Sequence, residues 1–268
     1  MLKHPSRLLL AASILLAPVV HADDAALATL TAPVTPDAPP PAAVWKADIQ
    51  LGYVDAATPT SKATSVNAKL HAAYTDGLWT HEANLAALSA ESTDTATSPA
   101  TTTDAESYVA GTKSRRAFAG QDYSFLQTQW DKDVQSQYKY QLFAAGGLGH
   151  FFLNSSSQQL SVELGVGARH SEYKVAQMDG GSVGNDGIGT LAGAYHWQIN
   201  PAVSFGEKVD AQYGRTDLTE HSLTELKQTV TTALNFSLSF DVKHDTGGNT
   251  GPSATYRTTS FNVIYQLK

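Results

Sequence analysis

A chain of 268 residues with 42% hydrophobic residues and no cysteine has room for one large domain or two modest ones and relies on no disulfide. Its formal net charge of -7 argues against a phosphate-binding surface of clustered Lys and Arg, so nucleic acid is not an expected partner.

Lys3 and Arg7 precede an apolar run from Leu8 to Val20, and Val20-His21-Ala22 has small residues at the two positions a signal peptidase reads. Residues 1–22 are expected to be a cleaved export signal, because a membrane helix needs about 20 apolar residues. Residues 23–43 are rich in Ala, Pro and Thr and end near Pro39-Pro40-Pro41, which predicts a disordered or polyproline-like leader. The remainder, 44–268, is expected to form one β-barrel.

From Trp45 onward apolar and polar residues alternate in runs of roughly ten, the period of a strand. The clearest case is Gln137 to Tyr173, two such arms broken at LNSSSQ. Its first arm sets Tyr138, Tyr140, Leu142, Ala144, Gly146 and Leu148 against Lys139, Gln141, Phe143, Ala145 and Gly147. Its second sets Leu160, Val162, Leu164, Val166 and Ala168 against Ser161, Glu163, Gly165, Gly167 and Arg169. Twelve strands are predicted, over 45–54, 63–74, 78–90, 107–118, 122–131, 137–151, 159–173, 187–199, 203–216, 222–234, 238–246 and 256–267. The fourth, fifth, ninth and tenth have mixed faces, and Glu207 falls on the apolar face between Phe205 and Val209, so bulges or shifted registers are expected there.

The connections after even strands are short, including Thr75-Asp76-Gly77, Ala119-Gly120-Gln121, Asn200-Pro201-Ala202 and Asn235-Phe236-Ser237. Those after odd strands are mostly longer, notably Ser92 to Ser107, Lys174 to Asp186 and Gly247 to Thr255. Tight periplasmic turns with long outer loops are the habit of outer-membrane barrels. Aromatic residues gather near both sets of strand ends, as at two bilayer interfaces. A soluble β-sandwich also alternates, but it has no reason to alternate loop lengths or to use strands this long. The expected fold is therefore all-β: a transmembrane antiparallel up-and-down barrel of about twelve strands.

The segments FLQTQWDKD, Gly146-Gly147-Leu148-Gly149 and LSVELGVGARHSEY resemble the salt-induced outer-membrane proteins, a YdiY-like family of unknown function. The likeness covers most of 45–267, including a Trp at the opening and a Pro-containing loop before the last strand. It implies a barrel in the outer membrane and brings no established activity or catalytic residue. The chain departs from the pattern at its end, where Tyr265 is the last aromatic and Leu267-Lys268 follow.

Candidate chemistry is sparse. Gly180-Gly181-Ser182-Val183-Gly184 matches G-x-S-x-G, but a nucleophile elbow needs a strand-to-helix turn and this match lies between strands. The loop Asp179 to Asp186 has two carboxylates among glycines without the ligand spacing of a calcium motif. The histidines show no ligand spacing, so no metal and no cofactor is expected. An outer-membrane lipase would place a Ser beside a His on the barrel exterior, and His170, on the lipid face near the outer rim, is the one lead.

The lumen is the better candidate. Lys46, Asp48, Lys69, Lys139, Glu163, Arg169, Lys208, Asp210, Asp241 and Lys243 are predicted to project inward. Buried charges must be paired or hydrated. They either lock the barrel shut or line a narrow wet pore, and twelve strands lie between the filled eight-stranded and open sixteen-stranded cases. The expected roles are a narrow channel for small polar solutes or an envelope component. A lipid-acting enzyme and a surface-interaction protein using Ser92 to Ser107 remain as alternatives. The expected partners are outer-membrane lipid, lipopolysaccharide and the barrel-assembly machinery, and the expected state is a monomer.

Overall fold

A computed structural model describes residues 43–57, 61–94, 101–118, 120–134, 136, 138–174, 182–215, 217–246 and 253–267. The predicted signal and leader lie outside these residues, apart from Ala43. The strands are β1 Val44–Ala57, β2 Ser61–Asp76, β3 Trp79–Asp94, β4 Thr101–Ala117, β5 Asp122–Asp133 and β6 Tyr138–Asn154. They continue with β7 Gln158–Tyr173, β8 Val183–Asn200, β9 Val203–Tyr213, β10 Leu218–Thr229, β11 Leu234–Asp245 and β12 Ala254–Leu267. Each strand is antiparallel to its chain neighbours, and β1 pairs with β12 from Ala47↔Leu267 to Gly52↔Asn262, closing the barrel. Closure leaves no strand edge in need of a partner, the condition for a sheet to sit in hydrocarbon.

The outer face is apolar. Ile49, Leu51, Val66, Leu85, Leu126, Leu142, Leu164, Val166, Leu191, Val209, Leu238 and Val263 are all exposed, Val166 to 74%. A soluble monomer seldom exposes a continuous apolar patch beyond a few hundred Å², so a belt of this extent is the surface that meets lipid. The inward face is the reverse. Gln50, Asn67, Asn84, Gln129, Asn235 and Asn262 are buried, and the clusters Ala86–Leu88–Val109 and Phe143–Ala145–Ile188 are apolar patches among them. The molecule is a transmembrane antiparallel up-and-down β-barrel.

The short turns all lie at one end and are closed by side chains as well as backbone. Gly77 adopts φ 57 and Gly120 φ 75, left-handed conformations that favour glycine. Asn200 Oδ1 accepts from the backbone N–H groups of Ala202 and Val203 at 2.9 and 3.0 Å. Rings cluster beside these turns: Trp45 and Tyr74 lie 4.7 Å apart, Phe236 and Phe261 5.6 Å. At the opposite end Tyr138 and Tyr173 are register partners with ring centroids 4.9 Å apart.

Several expectations are corrected. The turn expected at Asn235-Phe236-Ser237 lies instead at 230–233, where Thr231 Oγ1 accepts from the N–H groups of Ala233 and Leu234 at 3.2 and 3.0 Å. Asn235 and Ser237 are buried inside β11. The ninth strand stops at Tyr213, because the Gly214 N–H donates to the Asp217 carbonyl and turns the chain. Most of Ser92 to Ser107 is strand: β3 runs to Asp94 and β4 starts at Thr101, with Thr93↔Thr102 still paired. Threonine favours extended backbone, and that tendency outweighs the polar composition that suggested a loop. β8 likewise starts at Val183, inside the segment expected to be loop.

Glu207 required neither a bulge nor a shifted register. Its carboxylate stays on the outer face, and Ser222 Oγ and Thr224 Oγ1 of β10 donate to it at 2.9 and 2.6 Å.

Candidate functional site: the barrel lumen

The glycines of β6 and β7 shape the interior. A Cβ on Gly149 would stand 2.2 Å from the Tyr123 ring, and one on Gly165 would stand 2.9 Å from Phe125 Cζ. Two aromatic rings of β5 thus occupy the space that side chains on the neighbouring hairpin would fill, which explains a glycine-rich run on strands otherwise rich in Leu and Val. The Tyr123 ring then reaches past Gly149, and its hydroxyl donates to Glu163 Oε1 at 3.0 Å.

Glu163 is the hub of the largest ionic cluster among the described residues. Lys113 Nζ donates to its Oε2 at 2.6 Å, and Arg115 Nε stands 3.9 Å from Oε1. Arg115 Nη2 also donates to Glu82 Oε2 at 3.2 Å. Lys113 Nζ lies 5.1 Å from the Phe125 ring centroid, a cation over an aromatic face. Nearer the Tyr138 end, Arg169 Nη2 donates to both carboxylate oxygens of Asp217 at 2.6 Å and stands 3.6 Å from Asp186. This ties the β9–β10 connection to the inner wall of β7. A third cluster joins three adjacent strands, with His221 Nδ1 3.1 Å from Asp210 and its Nε2 3.1 Å from Asp241.

The ten residues predicted to face inward are placed as follows. Glu163, Asp210 and Lys243 fall in a single registered row, with Ala192 and His221 between them. Asp48 is 3.2 Å from His71 Nδ1. Lys69 is the register partner of Gln50, and Lys208 of Leu223, both on the inward face. Arg169 and Asp241 take the partners described above. Lys46 shares this face but is exposed at the short-turn end. Lys139 is elsewhere. A register irregularity between Tyr138 and Tyr140 turns Tyr138 inward, and the Lys139 side chain, 54% exposed, donates to Glu172 Oε1 at 2.6 Å on the rim.

Sequence reasoning did not single out Glu82, Lys113, Arg115, Tyr123, Asp217 or His221. Lys113 and Arg115 stand two apart on β4, the spacing of one face, but Thr112, Ser114 and Arg116 on the other face blurred the alternation.

A cavity of about 60 Å³ remains between β3 and β9, lined by Asn84, Gly111, Gln127, Gln129, Thr190 and Gln212, with Phe125 and Phe143 as apolar walls. One water needs about 10–15 Å³, so the cavity holds several. Elsewhere on the inner wall, Gln50 Nε2, Asn67 Oδ1, Asn235 Nδ2 and Asn262 Oδ1 are buried without a protein hydrogen-bond partner.

The weaker leads gain nothing. His170 Nδ1 lies 2.7 Å from Asn185 Oδ1 on the outer face, its other register partner is Leu142, and no serine or threonine pairs beside it. Val183 and Gly184 of the G-x-S-x-G match open β8 with no helix after them, while Gly180 and Gly181 lie outside the described residues. Asp186 faces Arg169, and Asp179 lies outside the described residues. Among the described residues no cluster of metal-ligating side chains occurs.

The chain is 27% identical over 163 residues to the uncharacterized protein YdiY of Escherichia coli K12, a match spanning 60% of this chain and 62% of that protein. In three dimensions it is similar to the NanC porin, with a TM-score of 0.49 and 11% identity, over 83% of this chain and 99% of that one. An outer membrane channel from Pseudomonas putida F1 is similar with a TM-score of 0.44 and 11% identity, over 87% and 98% of the two chains. At such identities no residue role passes from either structure to this one. Residues 49–267 match the family described as protein of unknown function, DUF481, and the chain belongs to that family.

Proposed function

We propose that this barrel is a narrow, water-filled passage for small polar solutes in the outer membrane, with the short turns in the periplasm. The observation that carries this is the space left inside the barrel, a cavity of about 60 Å³ bordered by Asn84, Gln127, Gln129, Thr190 and Gln212. A barrel selected only as a solid plug would fill that space with side chains, as small barrels do. Several waters fit among these polar groups, and a wet lumen across a bilayer conducts whatever is small enough to share it. The ion pairs of Lys113 with Glu163 and of Arg169 with Asp217 narrow the path and cancel their own fields. The conductance is accordingly small and weakly ion-selective. The protein acts without chemistry of its own, as a monomer whose partners are outer-membrane lipid, lipopolysaccharide and, during biogenesis, the barrel-assembly machinery.

Reconstitution of the mature chain into planar bilayers tests this. Small discrete current steps are the expected result. A bilayer loaded with heat-modifiable, folded barrel that carries no current overturns it.

A further inference from the structure

The cavity between β3 and β9 has a chemistry of its own. Its floor is a registered row in which Gly111 stands between Asn84 and Gln129. Gln129 Nε2 donates to both oxygens of Asp131 at 3.0 and 3.1 Å, which leaves Oε1 on the Gly111 side, 3.7 Å from where a Cβ would be. Asn84 is 3% exposed, and its Oδ1 has no partner. Glycine therefore leaves a notch between two carboxamides, with Gln129 Oε1 turned toward it.

Charge decides which solute fits. The nearest ammonium, Lys113, is already held at 2.6 Å by Glu163, so an anion finds no free cation and meets that carboxylate and Asp210. A cation meets the Lys113 ammonium. Carboxamides Gln127 and Gln212 and the Thr190 hydroxyl also border the space, and each offers both a donor and an acceptor. A hydroxyl group matches such a lining whichever way each amide is turned, since it donates and accepts at one atom. The Phe125 and Phe143 rings present flat apolar faces to the carbon side of the solute.

We propose that this cavity is a binding subsite for a small uncharged polyol of the glycerol class, one of whose hydroxyls sits in the Gly111 notch. The inference rests on the passage reading and names the solute class it serves. Occupancy of the subsite obstructs ions sharing the lumen, so glycerol blocks the current saturably.

The test uses the full mature chain in planar bilayers carrying potassium chloride, with glycerol added and sorbitol, a larger polyol, added to matched viscosity as control. The wild type is expected to lose current saturably with glycerol beyond the sorbitol effect. Gly111→Val fills the notch, and its current is expected to require about tenfold more glycerol for the same block, the scale on which a few methyl groups alter a pocket. A Cβ at Gly111 meets neighbours only at 3.4 to 3.8 Å, so Gly111→Ala provides a milder variant, with a smaller shift, should valine impair folding. Gel migration before and after boiling verifies that each variant is folded. Equal effects of glycerol and sorbitol on a conducting wild type overturn the subsite and leave the passage standing. Absence of any current from folded barrel removes the passage and the subsite with it.

Discussion

Lys113 Nζ on β4 donates to Glu163 Oε2 on β7 at 2.6 Å, so one ion pair reaches across the two strands that separate them in the sheet. Glu163→Gln leaves Lys113 and Arg115 without their shared carboxylate. The lumen then carries uncompensated positive charge, and the reversal potential in a salt gradient is expected to move toward anion selectivity. Stability in urea is expected to fall by about 3–5 kcal/mol, the usual cost of stranding a buried charge. An unchanged reversal potential shows that this pair does not border the ion path.

Arg169 holds Asp217, and with it the turn from Gly214 to Asp217, against the inner wall. Arg169→Gln is expected to speed amide exchange at Gly214, whose N–H donates within that turn, while β7 stays protected. A uniform rise over the whole barrel points instead to global loss of stability.

Tyr123 lies where a Gly149 side chain would be. Gly149→Val expels the ring, breaks its hydrogen bond to Glu163 and overpacks the wall, which is expected to cost about 1–3 kcal/mol. Gly187, with nothing within 4 Å of its added Cβ, is the control, and Gly187→Ala is expected to be close to neutral. Urea midpoints of the two folded variants compare them directly.

On the lipid side, Glu207→Leu is expected to stabilise the barrel by about 1 kcal/mol, since an acidic group in the belt costs somewhat less than the 2–4 kcal/mol of a basic one. The double change Ser222→Ala with Thr224→Ala is expected to do the opposite by about 1–3 kcal/mol, because it strips the carboxylate of both donors. Unfolding from lipid vesicles measures both. Destabilisation by Glu207→Leu shows that the bonds from Ser222 and Thr224 outweigh the cost of a carboxylate in the belt.

The architecture was legible because lipid and lumen impose opposite polarity on alternate residues, and β6 and β7 obey that rule almost throughout. Period fixes which face a residue occupies, and so most of the ten inward residues lie on the inner wall. Lys139 escaped because one irregular residue beside Tyr138 reverses the phase for everything beyond it. The turn at 230–233 escaped because β10 presents Glu220, Ser222, Thr224 and Gln228 outward, with Leu226 the one apolar residue among them, so alternation of polarity does not mark its end. Partnerships across the lumen were not legible at all. Lys113 and Glu163 are fifty residues apart, and their meeting depends on the curvature of the closed sheet and on the room the glycines leave.

The seam between β1 and β12 has a kinetic meaning. Ala47 meets Leu267, the most distant pairing the sheet contains. Loop-closure entropy opposes contacts of such separation, and their formation is slow. Until that last ladder zips, both terminal strands expose unpaired N–H and C=O groups beside apolar side chains, a surface prone to aggregate. Delay at this one step, rather than weakness of the finished wall, is the interval in which such a chain is most open to aggregation.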